Sequence, residues 1–109
     1  MLPKVDGARL ALLNAIAGAD TAVVEVGTRV VAVYIAVQVT STITTAGTLI
    51  LRTGGSGGLQ VYPSMNTGTA VNANPVTYSL GPDGILMDGL YLDITAAVGG
   101  AGLWYVYYR

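Results

Sequence analysis

Any reaction run by this chain would have to rest on six carboxylates, because the sequence contains neither histidine nor cysteine. Those two side chains supply most groups that titrate or attack near neutral pH. Their absence excludes Ser-His-Asp and Cys-His arrangements and the ordinary zinc sites. The carboxylates are Asp6, Asp20, Glu25, Asp83, Asp88 and Asp93. Asp83, Asp88 and Asp93 lie close enough in sequence to suggest a glycosidase pair or a calcium site. A sugar cleft is normally rich in aromatic and polar side chains, and a single tryptophan, Trp104, is thin support for one. A dedicated calcium loop alternates its acidic ligands, and this spacing does not. Turn chemistry accounts for the same residues: Asp83-Gly84 after Pro82 and Asp88-Gly89 are turn pairs, and Asp93 falls on the solvent side of a strand. Gly54-Gly55-Ser56-Gly57-Gly58 lacks the following lysine and helix start of a phosphate loop and reads as a linker between strands. No catalytic residue, cofactor or metal is expected.

The aromatic side chains are the other chemically capable group. Tyr91, Trp104, Tyr105, Tyr107 and Tyr108 crowd into the last nineteen residues. With so few basic residues beside them, base stacking has weak support. Alternation puts Leu103, Tyr105 and Tyr107 on one face of the last strand and Trp104, Val106 and Tyr108 on the other. Both faces therefore look able to bury area, as in a strand held between its own core and a partner. A glycan platform using Tyr91, Trp104 and the polar loop from Pro63 to Pro75 is the alternative.

Composition favours the partner. Only 10% of the 109 residues are charged and 52% are apolar, against roughly 25% charged in an ordinary soluble domain. A surface so poor in charge is expected to be covered in part by another chain, most simply a copy of itself. The net charge of −1 supplies no field to gather nucleic acid or anionic lipid. Residues 30–51 carry no formal charge, but Gln38-Val39-Thr40-Ser41-Thr42-Ile43-Thr44-Thr45 is too polar for a membrane span. Lys4, Asp6 and Arg9 interrupt what would otherwise resemble a secretory signal, so a cytoplasmic origin is expected.

The elements that must position these residues follow from a period of two that dominates from residue 21 onward. Arg29 to Thr40 places Val31, Val33, Ile35, Val37 and Val39 on a core face, with Val30, Ala32, Tyr34, Ala36, Gln38 and Thr40 opposite. Further strands are expected over Thr21 to Val26, Thr48 to Arg52, Pro75 to Leu80, Ile85 to Met87, Leu90 to Thr95 and Leu103 to Arg109. Gly99-Gly100-Ala101-Gly102 is expected to make a hairpin turn. Seven or eight short strands without long crossovers predict an all-β fold, an antiparallel, jelly-roll-like β-sandwich over residues 21–109. Residues 1–20 are expected to form an N-terminal helix or arm, with Asp6 as cap and Gly18 as stop. An edge strand is the competing reading, since Leu10, Leu12 and Ile16 also alternate with Ala11, Leu13 and Ala15.

Four segments carry a resemblance. Arg29-Val30-Val31-Ala32-Val33-Tyr34, then Gly47-Thr48-Leu49-Ile50-Leu51-Arg52-Thr53-Gly54, then Gly84-Ile85-Leu86-Met87-Asp88-Gly89-Leu90-Tyr91-Leu92, and a final Val106-Tyr107-Tyr108-Arg109 are similar to segments of small β-sandwich structural proteins of tailed bacteriophages. The resemblance covers roughly residues 21–109. The loop from Pro63 to Pro75 is longer than in that pattern, and the N-terminal segment has no counterpart in it. The resemblance implies a virion component on the capsid exterior, made in the host cytoplasm: a decoration or cement protein that binds the major capsid protein, often as a homotrimer. The residues expected at the subunit contact are Tyr34, Ala36, Gln38, Met65, Asn66, Trp104, Tyr107 and Tyr108.

Overall fold

The computed structural model describes residues 8–72 and 74–109, together forming an all-β molecule with no helix among them. Eight strands run in the order β1 (Arg9–Asn14), β2 (Ala19–Ser41), β3 (Thr48–Thr53), β4 (Leu59–Gln60), β5 (Met65–Asn66), β6 (Val76–Ser79), β7 (Ile85–Thr95) and β8 (Ala101–Tyr108). All pair antiparallel, in the spatial order β1-β8-β2-β7-β3-β4, with β5 on β3 and β6 on β2. This is the sandwich-like antiparallel architecture that the alternating pattern predicts.

β2 organises everything else. Straight, its 23 residues would span about 75 Å at strand rise, yet the longest dimension of the molecule is 38 Å. The strand therefore has to bend, and irregularities in its pairing show where. Ala32 faces Tyr108 while Tyr34 faces Tyr107, leaving Val33 as an extra residue. Ala22 and Val24 face Tyr91 and Leu90, leaving Val23 extra. Four residues, Glu25 to Thr28, oppose the single Gly89. Each excess residue increases local twist and bends the strand, as β-bulges do. The first half of β2 thus pairs with β7, while the second half pairs with β8 on one edge and β6 on the other.

The bend folds the sheet over one core. Val30, Ala32, Ile35 and Val37 of β2, Leu49 and Leu51 of β3, Met65, Leu80, Met87, Leu90, Leu92 and Ile94, and Trp104 and Val106 of β8 form one buried cluster. Val39, Ile43 and Ala97, with Ile16 against them, make a smaller one. Cross-strand pairs such as Leu49 with Ile94 and Leu51 with Leu92 bring inward side chains face to face across the ladder.

Several expectations are corrected. The bulge at Val33 inverts the alternation, so Val30 and Ala32 point inward before it and Ile35, Val37 and Val39 after it. Val31 and Val33 do not share the core face. The strands expected over Thr21 to Val26 and Arg29 to Thr40 are one continuous strand with a bulge between them, where Gly27, at φ +102°, donates its amide to Asp88 Oδ1 at 2.8 Å. Asp88-Gly89 is likewise not a turn between two strands but an irregularity within β7. A Cβ on Gly89 would lie 2.9 Å from the Val24 carbonyl oxygen, closer than a side chain tolerates. Gly99 and Gly100 do turn the chain, but not into a hairpin, because β7 and β8 lie on opposite edges of β2.

Residues 9–14 form a strand rather than a helix. Leucine and alanine favour a helix locally, but pairing with β8 over six residues satisfies the backbone and lets Ala11 and Leu13 pack on the core. Helix propensity differs by only tenths of a kcal/mol per residue, so tertiary packing decides. The proposed Asp6 cap lies outside the described residues. Ala15, fully buried, closes the segment by bonding to Gly102 and Ala97.

Candidate interaction face

Strands β1, β8, β2 and β6 lie side by side, and their side chains alternate between core and exterior. On the exterior the register produces three rows. Leu10 faces Tyr107, which faces Tyr34, which faces Ser79. Leu12 faces Tyr105, then Ala36, then Thr77. Asn14 faces Leu103, which faces Gln38. None of these eleven side chains carries a charge.

The face is apolar with polar tips. Leu10 and Leu12 are 45% and 56% exposed, and Leu103 is also exposed. Tyr34, Tyr105, Tyr107 and Gln38 are half-buried, and Ala36 is buried. Tyr34 and Tyr107 pack ring against ring, with centroids 5.7 Å apart and planes tilted by 57°. Tyrosine supplies a large contact area with little rotamer freedom to lose, together with a hydroxyl for hydrogen bonding. Four strands and three side-chain rows cover about 19 by 20 Å, on the order of 400 Å². That footprint, part of it polar, falls within the ~300–600 Å² of the largest apolar patch on a typical monomer, a patch that is often functional. It is about half of the ~800 Å² that each partner contributes to a standard interface.

Of the residues expected at a contact, the structure gathers Tyr34, Ala36, Gln38 and Tyr107 here. Met65 is not with them: it is a core side chain on β5, opposite Leu49. Asn66 is exposed but committed locally. Its Oδ1 accepts the Gly68 amide at 2.7 Å, and the Tyr78 hydroxyl donates to its carbonyl at 2.7 Å, tying the loop to β6. Trp104 is 0% exposed, in the core between its neighbours Leu103 and Tyr105 that face out. Tyr108 shares its inward side and packs against the core. The last strand's two faces were correctly separated by alternation, but the tryptophan side turned inward.

Burial of Trp104 also removes the centre of the glycan platform, since an enclosed indole cannot stack on a sugar. Its Nε1 has no hydrogen-bond partner among the described residues. Asp93 meets Arg52 at 3.2 Å, and Asp88 receives the Gly27 amide. No three acidic side chains come together to hold a metal ion among the described residues.

Sequence reasoning did not name Leu10, Leu12, Asn14, Leu103, Tyr105, Thr77 and Ser79 among the contact residues. Leu10 and Leu12 were visible as an alternation within the N-terminal segment. Thr77 and Ser79 had no sequence signal, because only the pairing of β6 with β2 brings them beside Ala36 and Tyr34. No protein-family model, curated protein or solved structure matches the chain.

Proposed function

We propose that this chain is a non-enzymatic structural subunit of a tailed-phage particle, a capsid decoration or cement protein. It self-associates, as a trimer in the reading favoured by its resemblance to phage sandwich proteins, and binds the major capsid protein from outside. The observation that carries the assembly role is the uncharged face of Leu10, Leu12, Tyr34, Tyr105 and Tyr107 on an otherwise charge-poor molecule. The virion assignment draws on the sequence resemblance.

The mechanism is bridging. Burial of apolar surface contributes roughly 25 cal/mol per Å² before the cost of association is subtracted. A face of about 400 Å² therefore makes a modest contact by itself. On a repeating lattice, each further contact of an oligomer forms at high effective concentration, so modest contacts sum to firm attachment. A cement protein stabilises a pressurised shell in this way, by tying neighbouring subunits together.

The test is sedimentation of the wild-type chain and of a variant carrying Leu12→Glu and Tyr105→Glu, both on the outer face. The expected result is an oligomer for the wild type and a folded monomer for the variant, with cosedimentation on purified phage capsids lost in the variant. A wild-type chain that stays monomeric at micromolar concentration and ignores capsids rules the reading out.

A further inference from the structure

The described residues contain four cationic side chains, Arg9, Arg29, Arg52 and Arg109. Arg52 is occupied: its guanidinium meets Asp93 and the Gly58 carbonyl oxygen. The remaining three line one pocket of about 330 Å³, with Val24, Thr28, Val30 and Tyr108 completing its walls. They are distant in sequence, and the fold gathers them. Arg9 faces Tyr108 across the β1–β8 ladder. Val31 and Arg109 exchange two backbone hydrogen bonds, of 2.8 and 3.0 Å, which brings the chain's last residue beside Arg29.

No described residue with a carboxylate side chain lines this pocket. Asp88 lies opposite Arg29 on β7, but its Oδ1 takes the Gly27 amide. Asp88 lines the neighbouring hollow with Leu86 and Met87, and Arg29 lies between that hollow and the pocket, lining both. Three exposed like charges around one cavity repel, screened in part by solvent and salt, and an anion among them relieves that repulsion. The low net charge of the chain conceals this concentration, because acidic residues elsewhere balance the total.

We propose that the pocket binds a multivalent oxyanion. A guanidinium presents its N–H groups as a rigid planar fork that matches two oxygens of a phosphate or carboxylate, and three forks from three elements suit a group with several oxygens. Thr28 adds a hydroxyl donor. Val24, Val30 and Tyr108 complete the lining beside the exposed arginines. The group is either a free ion or one carried by a neighbouring chain, and the chemistry of recognition is the same for both.

The experiment is calorimetric titration of the full chain with inorganic pyrophosphate at constant ionic strength set by chloride. One saturable site per chain is expected. Arg9→Gln and Arg29→Gln should each weaken binding by about tenfold or more, as loss of a charged hydrogen-bonding group does. Arg52→Gln should leave it within about twofold, because Arg52 lies outside the pocket. Amide shifts in the wild-type protein provide a reading that needs no variant: pyrophosphate should move Arg9, residues 28–30, Tyr108 and Arg109. Sedimentation with pyrophosphate then identifies the source. An unchanged oligomeric state marks a free ion, and dissociation marks a group supplied by a neighbouring copy. Absence of saturable binding, or shifts centred on Arg52 instead, overturns the site. A monomeric chain that still binds pyrophosphate would keep this site and remove the assembly face, and an oligomer without saturable binding would do the reverse, so the two fail separately.

Discussion

Tyr34 and Tyr107 stand opposite each other on neighbouring strands with their rings 5.7 Å apart, in the first row of the uncharged outer face. Their strands are held by backbone pairing, so the rings are positioned before any partner arrives. A preordered aromatic pair loses little entropy on association.

That pair should couple energetically within the folded chain. Tilted aromatic pairs contribute about 0.5–1.5 kcal/mol beyond their area. Urea unfolding of Tyr34→Ala, Tyr107→Ala and the double variant should therefore give a coupling of about 1 kcal/mol. Additive losses would show that the rings touch without stabilising each other.

Trp104 should behave as a core residue. Trp104→Ala is expected to cost about 3–5 kcal/mol through the cavity it leaves, enough to unfold many domains of this size. Trp104→Phe should cost much less, because it also removes the buried Nε1 donor that has no partner among the described residues. Wild-type fluorescence should be blue-shifted and poorly quenched by iodide, and easy quenching would contradict the burial.

The backbone of two glycines should respond very differently. Gly100 has φ +74°, and a Cβ there would overlap the Thr42 and Ser41 carbonyl oxygens, whereas Gly81, at φ +94°, has open space around it. Gly81→Ala is expected to cost about 1 kcal/mol of conformational strain. Gly100→Ala should cost clearly more, with the order read from thermal unfolding midpoints.

The Arg52–Asp93 ion pair should matter little. Its side chains are 23% and 37% exposed, and partly solvated pairs contribute about 0–1 kcal/mol. Asp93→Asn should fall within that range, and the difference from wild type should shrink in high salt.

The sequence-to-structure relation is uneven in an instructive way. Strand identity was legible because β-branched residues alternate cleanly from Arg29 to Thr40, and the turn glycines at Gly54 to Gly58 separate β3 from β4 as expected. The face assignment was not, because alternation assumes one residue per step and Val33 is an extra one. A single bulge moved Val30 and Ala32 to the core side. The helix expected near Leu10 failed for a related reason: local propensity is weak, and the strand that wins depends on β8, nearly a hundred residues away. Asn66 shows the same limit. Its partner is the Tyr78 hydroxyl, a contact no local pattern encodes.

For the outer face itself, four of the eight residues expected at a contact were placed together by alternation and low charge. The other four, Met65, Asn66, Trp104 and Tyr108, lie off it, and the two that are buried, Met65 and Trp104, are large apolar side chains whose type suits a core and an interface equally well. Burial alone separates the two cases.

Sedimentation equilibrium of the purified wild-type chain across micromolar concentrations tests the central claim most directly. The uncharged face predicts a concentration-dependent oligomer that Leu12→Glu with Tyr105→Glu converts to a folded monomer. A single wild-type species of 11.1 kDa at every concentration would contradict it.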